Sequence, residues 1–271
     1  MPKHYRGRKE PKNLLHLIQL SHLRHGAMLK AIRKAAPPSW DSRTFGWVGA
    51  IKDQGQCGSC WDFSGTGMCE IAYNKAGVGG GAGTFALSEE YTLDCGQNSG
   101  CAGDDNTTVL AWAKATGLPL QAAYGLYTAG GGVPGACAFN SSMTLYKISD
   151  WGFADSNGGQ GVTSTIDIKA AIMNYGCVGA AVAADDAFEA WGTSSPDMKS
   201  PFQGSGSTNI DHDIILVGWQ DDLSKSGGAW ILRNSWGGDW GVGGYMAIAY
   251  GANLVGTESV FAVLTAPSLG T

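Results

Sequence analysis

The stretch Gln54-Gly55-Gln56-Cys57-Gly58-Ser59-Cys60-Trp61 is the most informative part of this chain of 271 residues. It contains two cysteines, and a cysteine that acts as a nucleophile needs a general base close to its thiol. Four of the five histidines lie within the first 25 residues, so His212 is the one imidazole in the remaining 246. Asn234 follows His212 by 22 positions, in Asn234-Ser235-Trp236-Gly237. Cysteine, histidine and asparagine are thus residue types, in an order, that would suit a nucleophile, its base and a residue that orients the base.

Two other interpretations of the Cys57-x-x-Cys60 pair fit the composition less well. A zinc site would need a second close pair of ligands, but Cys95 and Cys101 are six residues apart and no histidine lies beside them. A redox pair of the thioredoxin type would favour a βαβ unit of about half this length. We therefore expect Cys60 to be a reactive thiol, and we expect neither a metal ion nor a cofactor.

Charge is distributed unevenly along the chain. The formal net charge is −5, but residues 1–35 contain nine Lys and Arg against Glu10 alone, which is +8, so the remainder carries −13. A basic arm can bind nucleic acid, but an acidic body offers no matching basic surface. We therefore expect the arm to contact the body of the protein itself. The alternative is a disordered basic tail.

The seven cysteines, 42 glycines and only 15% charged residues are typical of a compact, loop-rich extracellular protein. One reactive thiol and up to three disulfides would account for the cysteines. No run of 18 apolar residues is present, and the N-terminus is too basic for a signal peptide. We expect a monomer that binds neither nucleic acid nor a membrane, in a secreted or other oxidising or acidic compartment, with any targeting sequence outside this chain.

The spacing of apolar residues predicts helices early in the chain and strands later. The predicted helices cover residues 13–34, 60–75, 88–94, 107–114 and 166–174. The predicted strands cover residues 178–183, 214–219, 229–233, 245–250 and 260–265. Asn106 and Ser164 are the candidate N-caps of the last two helices. Helices followed by strands predict an α+β fold in which residues 36–145 and 146–271 form two subdomains after the basic segment 1–35.

Together with three later blocks, the Gln54–Trp61 stretch resembles the papain family of cysteine peptidases. The later blocks are Leu87–Glu90 with Leu93–Cys95, Asp211-His212, and Asn234–Tyr245. Cys60 precedes His212 by 152 residues and Asn234 by 174, slightly more than the usual separation of about 130–150. The resemblance implies a helical subdomain that carries the nucleophile and an antiparallel, β-barrel-like subdomain that carries the histidine and asparagine. The active-site cleft would lie between them.

The resemblance also implies roles for single residues. Cys60, His212 and Asn234 would form the catalytic centre, and Gln54 would donate its amide to the oxyanion. At a helix start and facing an imidazolium, the Cys60 thiol would have a pKa on the order of 3–4. The residues implied to contact the substrate are Gly58, Trp61, Gly103, Asp104, Asp105, Asp211, Asp213 and Trp236.

The resemblance implies disulfides Cys57–Cys101 and Cys95–Cys137. Cys69 and Cys177 remain, and they would form either a third disulfide or two buried thiols.

Three aspartates depart from the family pattern. Asp104 stands where a glycine is usual and Asp213 where a small residue is usual; Asp62 replaces an alanine, and its carboxylate would oppose ionisation of the nearby thiol. Together with Asp105, the first two predict a pocket for Arg or Lys at the second substrate residue before the scissile bond. The alternative is that these aspartates point to water.

These observations predict a papain-like cysteine endopeptidase that hydrolyses peptide bonds through a thioester acyl-enzyme. Residues 1–35 would be an inhibitory prosegment of a zymogen. Acid would release it, mainly by protonating carboxylates of the body, whereas protonation of His16, His22 and His25 would tighten it. The alternatives are a non-catalytic papain-fold binding protein, or an acyl transferase or ligase that uses the same thioester.

Overall fold

The computed structural model describes residues 5–32, 36–78, 83–96, 98–155, 161–194 and 196–265. Both ends of the predicted basic segment, residues 1–4 and 33–35, lie outside the described residues, as does the side chain of His22. Among the residues that are described, no helix combines the length and apolar character needed to cross a membrane.

Helices and strands follow one another in the predicted order. The helices are α1 (Leu14–Ile32), α2 (Cys60–Lys75), α3 (Glu89–Cys95), α4 (Asn106–Ala115), α5 (Gln121–Tyr124), α6 (Thr165–Tyr175) and α7 (Asp186–Thr193). The strands are β1 (Ser39–Asp41), β2 (Asp150–Phe153), β3 (Val178–Val182), β4 (His212–Asp221), β5 (Gly228–Arg233), β6 (Tyr245–Ala249) and β7 (Thr257–Val263). The strands pair antiparallel in the order β2-β7-β3-β4-β5-β6, and β1 pairs with β4. This is the expected α+β architecture.

Local capping explains where several helices begin. Ser88 accepts a hydrogen bond from the backbone of Tyr91 at the start of α3, and Ser164 caps α6 as predicted. The predicted cap of α4 is wrong by one residue, because Asp105 rather than Asn106 accepts the bond from the Thr107 backbone. The short elements α5, α7, β1 and β2 were not predicted.

Helix α2 is buried along almost its whole length and joins the two halves of the protein. Two of its glycines allow this. A Cβ on Gly65 would fall 2.5 Å from a side-chain carbon of Val109 in α4, and one on Gly67 would fall 2.6 Å from Ile215 in β4. Without those side chains α2 packs between α4 and the sheet, which places its first residue, Cys60, where the helical half meets the β half.

Cys57–Cys101 and Cys95–Cys137 form disulfides, as the resemblance implied. Cys69 and Cys177 are separate, buried thiols, so a third disulfide is not formed. Burial raises the pKa of Cys177 to about 12, which keeps this thiol protonated and unreactive.

Helix α1 packs against β2 and α6, so part of the predicted basic segment contacts the body. Its buried face repeats at helical spacing and includes Leu14 and Ile18. One turn further, the Ser21 hydroxyl accepts a hydrogen bond from the Phe153 N–H at 2.6 Å and donates one to the Phe153 carbonyl at 3.2 Å. These contacts hold the first half of α1 against the body.

Candidate active site

The thiol of Cys60 lies at the first turn of α2 and is fully buried. Its sulfur accepts a hydrogen bond from the Gly7 backbone N–H at 3.3 Å. The backbone N–H of Asp213, the residue after His212, also hydrogen-bonds to it. The sulfur therefore lies between the start of β4 and residues 5–10, which are the part of the basic segment that precedes α1 and are called the arm from here on.

His212 and Asn234 form a buried hydrogen-bonded pair. The His212 Nε2 and Asn234 Oδ1 atoms are 2.8 Å apart, and Oδ1 also accepts the Ser235 backbone N–H at 2.8 Å. The indole of Trp236 stacks on the imidazole, with ring centroids 4.6 Å apart and planes inclined by 28°. Since Oδ1 already acts as an acceptor, Nε2 is the protonated nitrogen of the ring.

Gln54 is buried and held by Ser235 on both its backbone and its side chain. Its N–H donates to the Ser235 carbonyl at 2.9 Å, and the Ser235 hydroxyl donates to Gln54 Oε1 at 2.6 Å. Its Nε2 donates to the carbonyl oxygens of Tyr5 at 2.8 Å and Cys57 at 2.9 Å. The amide thus already binds a peptide carbonyl beside Cys60. The sequence analysis did not identify Ser235, although it lies within the Asn234–Gly237 block.

Residues 7–9 of the arm bind the cleft through their backbone. The Asp104 N–H donates to the Gly7 carbonyl at 2.7 Å, and the Lys9 N–H donates to the Asp104 carbonyl at 2.6 Å. Between them, the Arg8 N–H donates to the Asp211 carbonyl at 3.2 Å. The resemblance assigns substrate contacts to positions 104 and 211, so the arm occupies the path expected for a substrate.

Gly103 makes this close approach possible. Its φ of +89° is in the region that favours glycine, and a Cβ there would fall 2.3 Å from the carbonyl oxygen of Gly7.

The side chain of Arg8 enters a buried acidic pocket. Its Nε is 3.6 Å from Asp213 Oδ1, and its Nη2 bonds to Glu258 Oε2. Burial raises the pKa of Asp213 to about 8, although the positive charge of Arg8 acts in the opposite direction. Burial also raises the pKa of Glu258. Glu258 is a pocket residue that was not identified from the sequence.

The side chains of Asp104 and Asp105 do not reach Arg8. Asp104 accepts the Ser99 N–H and the Thr108 hydroxyl, and Asp105 caps α4. Short aspartates at a helix start bind nearby backbone groups, which explains this result. Of the three aspartates predicted to form the pocket, only Asp213 places its carboxyl group beside the Arg8 guanidinium, while Asp104 acts through its backbone.

Arg6 binds a second acidic group. Its Nη2 is 2.5 Å from Glu189 Oε1 in α7, and its Nη1 is 3.0 Å from Asp211 Oδ2. Asp186 lies at 4.0 Å. The contacts of Arg6 and Arg8 support the expectation that the basic arm pairs with the acidic body.

The arm changes the ionisation expected for Cys60. Burial raises the pKa of this thiol to about 12, and the charge of Asp213 adds to the effect. The low pKa expected from the sequence therefore does not describe the closed form, in which the arm excludes water from the sulfur.

Asp62 does not oppose the thiolate in the way expected. It is fully buried and accepts a hydrogen bond from Thr66 at 3.1 Å. Burial raises its pKa well above the usual value, which favours a neutral carboxyl.

Trp61 and Gly58 form one wall of the cleft, but only Gly58 touches the arm. The Trp61 indole is fully buried and donates to the Gly58 carbonyl at 3.1 Å. In this closed form Trp61 supports Gly58 from behind, because its large ring lies in the core, and its contact with substrate stays a prediction.

Known proteins are similar to this chain along most of its length. The sequence model of the papain family cysteine proteases matches residues 36–264. A cathepsin L-like proteinase of Fasciola hepatica is 30% identical over 246 residues, covering 88% of this chain and 68% of that protein. Cathepsin L of Sarcophaga peregrina is 32% identical over 222 residues, covering 80% and 60%.

Solved structures have a similar fold. The digestive procathepsin L2 proteinase of Tenebrio molitor larval midgut matches with a TM-score of 0.68 and 27% identity, over 84% of this chain and 68% of that one. Bromelain from Ananas comosus shares the fold, with a TM-score of 0.67 at 24% identity over 84% of this chain and 100% of that one. The chain spans 56% to 68% of the length of the curated relatives that it matches. The family match over residues 36–264 and the buried His212–Asn234 pair beside Cys60 lead to one conclusion: the chain belongs to the papain family of cysteine proteases.

Proposed function

We propose that this chain is a cysteine endopeptidase whose nucleophile is Cys60, made as a zymogen whose residues 5–10 close the cleft. The observation that carries the proposal is the Gln54 amide, which binds the Tyr5 carbonyl next to a thiol that adjoins the His212–Asn234 pair. The Gln54 amide thus donates to a peptide carbonyl in the way that it would donate to an oxyanion during the reaction.

In the open enzyme, water returns to the cleft and the penalty of burying a charged sulfur falls. His212 can then take the thiol proton on Nδ1, because Nε2 donates to Asn234. The thiolate attacks the substrate carbonyl carbon, forming a C–S bond, and the carbonyl electron pair moves to the oxygen, which the Gln54 amide stabilises. As the pair returns, the C–N bond breaks and the His212 imidazolium gives its proton to the leaving amine.

Deacylation repeats these steps with water. His212 removes a proton from water, whose oxygen attacks the thioester carbonyl. Collapse of this second tetrahedral species breaks the C–S bond, releases the acid product and restores the thiolate–imidazolium pair. The Trp236 indole covers the His212–Asn234 bond and excludes water from it.

The arm inhibits without being cleaved because it runs opposite to the expected substrate direction. At the sulfur itself the arm presents the Gly7 N–H. Release of residues 5–10 would expose the thiol.

The Arg8 pocket supports a preference for Arg or Lys at the second residue before the scissile bond. Asp213 is buried and Glu258 is partly buried, and both face the Arg8 guanidinium. Carboxylates in a partly desolvated pocket bind a guanidinium more strongly than at an exposed surface.

Turnover of fluorogenic peptides by Cys60→Ala, His212→Ala and Asn234→Ala proteins tests the proposal. The first two changes should abolish turnover, and the third should leave weak activity, because orientation contributes less than nucleophile or base. Full activity in a Cys60→Ser protein would contradict it. Product analysis with an added amine separates hydrolysis from acyl transfer, and binding without turnover would favour the non-catalytic alternative.

The two disulfides support a secreted or other oxidising compartment for the protein. That it acts as a monomer, without nucleic acid or membrane, remains a prediction that gel filtration and binding assays can test.

A further inference from the structure

Two acidic pockets flank Cys60, and one short arm fills both. Arg8 binds Asp213 and Glu258, whereas Arg6 binds Glu189 and Asp211. The single residue between the two arginines is Gly7, whose N–H contacts the sulfur. Along the cleft, the arm therefore places a basic residue, then one small residue, then a second basic residue.

The two pockets lie on different sides of the reacting bond. Position 104, whose backbone binds the arm on both sides of Arg8, is the position assigned to the acyl part of a substrate. Glu189 belongs to α7 instead, where the neighbouring Phe188 packs edge-on against the rings of His212 and Trp236. The Glu189 pocket thus lies beyond His212, where the leaving amine departs.

The Glu189 pocket is built before any substrate arrives. The Glu189 backbone carbonyl accepts the Trp240 indole N–H at 3.3 Å, and Trp240 stacks on Phe188. The Glu189 side chain is 14% exposed, whereas that of Asp186 is 85% exposed. Glu189 is therefore the carboxylate that is partly shielded from water, and a screened Asp186 adds little.

We propose that Glu189, assisted by Asp211, selects a basic side chain at the first residue after the scissile bond. With the Arg8 pocket, this defines the substrate class as peptides with Arg or Lys at the second position before the bond and at the first position after it. A forward-running substrate has one residue between those positions, the same spacing as Arg6-Gly7-Arg8. The inference rests on the proposed endopeptidase activity.

Four internally quenched peptides test it, with Arg or Leu at each of the two positions and glycine between them. The enzyme is the full-length Gly7→Ala chain, whose added methyl group displaces the arm from the cleft. Active sites are counted with an epoxide thiol reagent, and mass spectrometry confirms the cleaved bond. We expect Arg after the bond to raise kcat/KM about tenfold over Leu, the order of magnitude of a charge-assisted hydrogen bond.

Two matched variants separate the pockets. Glu189→Gln should reduce the ratio for the position after the bond to about one and preserve the ratio for the position before it, whereas Glu258→Gln should do the reverse. Glu189→Arg should favour Leu over Arg after the bond while the preference before the bond is kept, which also reports a folded enzyme. If the peptides are cleaved with no preference after the bond, or Glu189→Gln leaves that preference intact, this inference is overturned and the endopeptidase proposal stands. If the epoxide reagent labels Cys60, so that the cleft is open, and none of the four is cleaved, both are overturned.

Discussion

A Cβ built on Gly7 falls 1.7 Å from the carbonyl oxygen of Gly58, so these two glycines pack backbone against backbone beside the Cys60 thiol. Gly58 in turn has no room for a side chain, since its own Cβ would fall 2.5 Å from the Cys101 carbonyl oxygen. The Cys57–Cys101 disulfide adjoins this wall and restrains it. Any enlargement at position 7 therefore displaces the arm rather than the wall.

We expect the intact Gly7→Ala chain to hydrolyse a fluorogenic peptide at pH 7 at least about fivefold faster than the intact unaltered chain, because overpacking by one methyl group costs about 1–3 kcal/mol. Gly131→Ala is the control, since a Cβ there meets nothing within 4 Å. Rates should be taken while mass spectrometry shows the chain uncut. Equal latency in the Gly7→Ala and Gly131→Ala proteins would show that the arm does not close the cleft.

Ser235→Ala should lower kcat by about tenfold with little change in KM. Its hydroxyl fixes Gln54 Oε1 at 2.6 Å, and loss of a buried hydrogen bond of this kind costs about 1–3 kcal/mol. The amide would then be free to rotate away from the oxyanion, which forms only during the reaction. Steady-state kinetics of Ser235→Ala and the exposed-site control Ser226→Ala provide the measurement. A rise in KM at constant kcat would instead assign Ser235 to substrate binding.

Local signals made much of the catalytic region predictable. The predicted helix from Cys60 to Lys75 has the observed bounds, because its apolar spacing and the absence of proline favour one helix, although Gly65 and Gly67 lower its intrinsic propensity. The His212–Asn234 pair was also expected, since a single imidazole was available for Cys60 and the family pattern assigned its partner.

The place of Glu258 in the Arg8 pocket could not be predicted from local sequence patterns. Glu258 lies in β7 with a φ of +50°, and the pairing of β3 with β7 shifts register between Gly179 and Ala181. Simple strand alternation cannot say which way a side chain points at such an irregularity. The charge of the arm was visible in the sequence, but its reversed path through the cleft follows from tertiary contacts.

The cysteines should divide into two classes under denaturing, non-reducing conditions. Alkylation should modify Cys60, Cys69 and Cys177 and leave the four disulfide-bonded cysteines intact. In the folded, closed chain these thiols should react slowly, because burial raises the pKa of Cys60 and of Cys177 to about 12. Peptide mapping that recovers a Cys69–Cys177 linked peptide would contradict the structure.

His25 couples the docking of α1 to pH in the direction opposite to that expected for the histidines of the basic segment, whose protonation was expected to tighten the contact. Its ring is 8% exposed and packs edge-on against Phe261, with centroids 5.2 Å apart. Burial lowers its pKa below 6.5, an effect that Arg24 and Lys114 reinforce and Asp150 opposes from 3.3 Å. Docked α1 thus favours neutral His25, whereas an undocked α1 takes up a proton as the pH falls below about 6.5. Acid therefore weakens docking through this histidine.

We expect His25→Leu to shift arm release to lower pH. Leucine keeps an apolar side chain at this site and removes the proton uptake that favours undocking, so less of the acid response remains. The pH at which the full chain begins to react with an epoxide thiol reagent should fall by about half a unit or more, since one pKa unit corresponds to about 1.4 kcal/mol. His16→Leu is the matched control, because His16 lies on the same helix and is exposed. If His25→Leu and His16→Leu respond to acid alike, release depends on carboxylates of the body and not on His25.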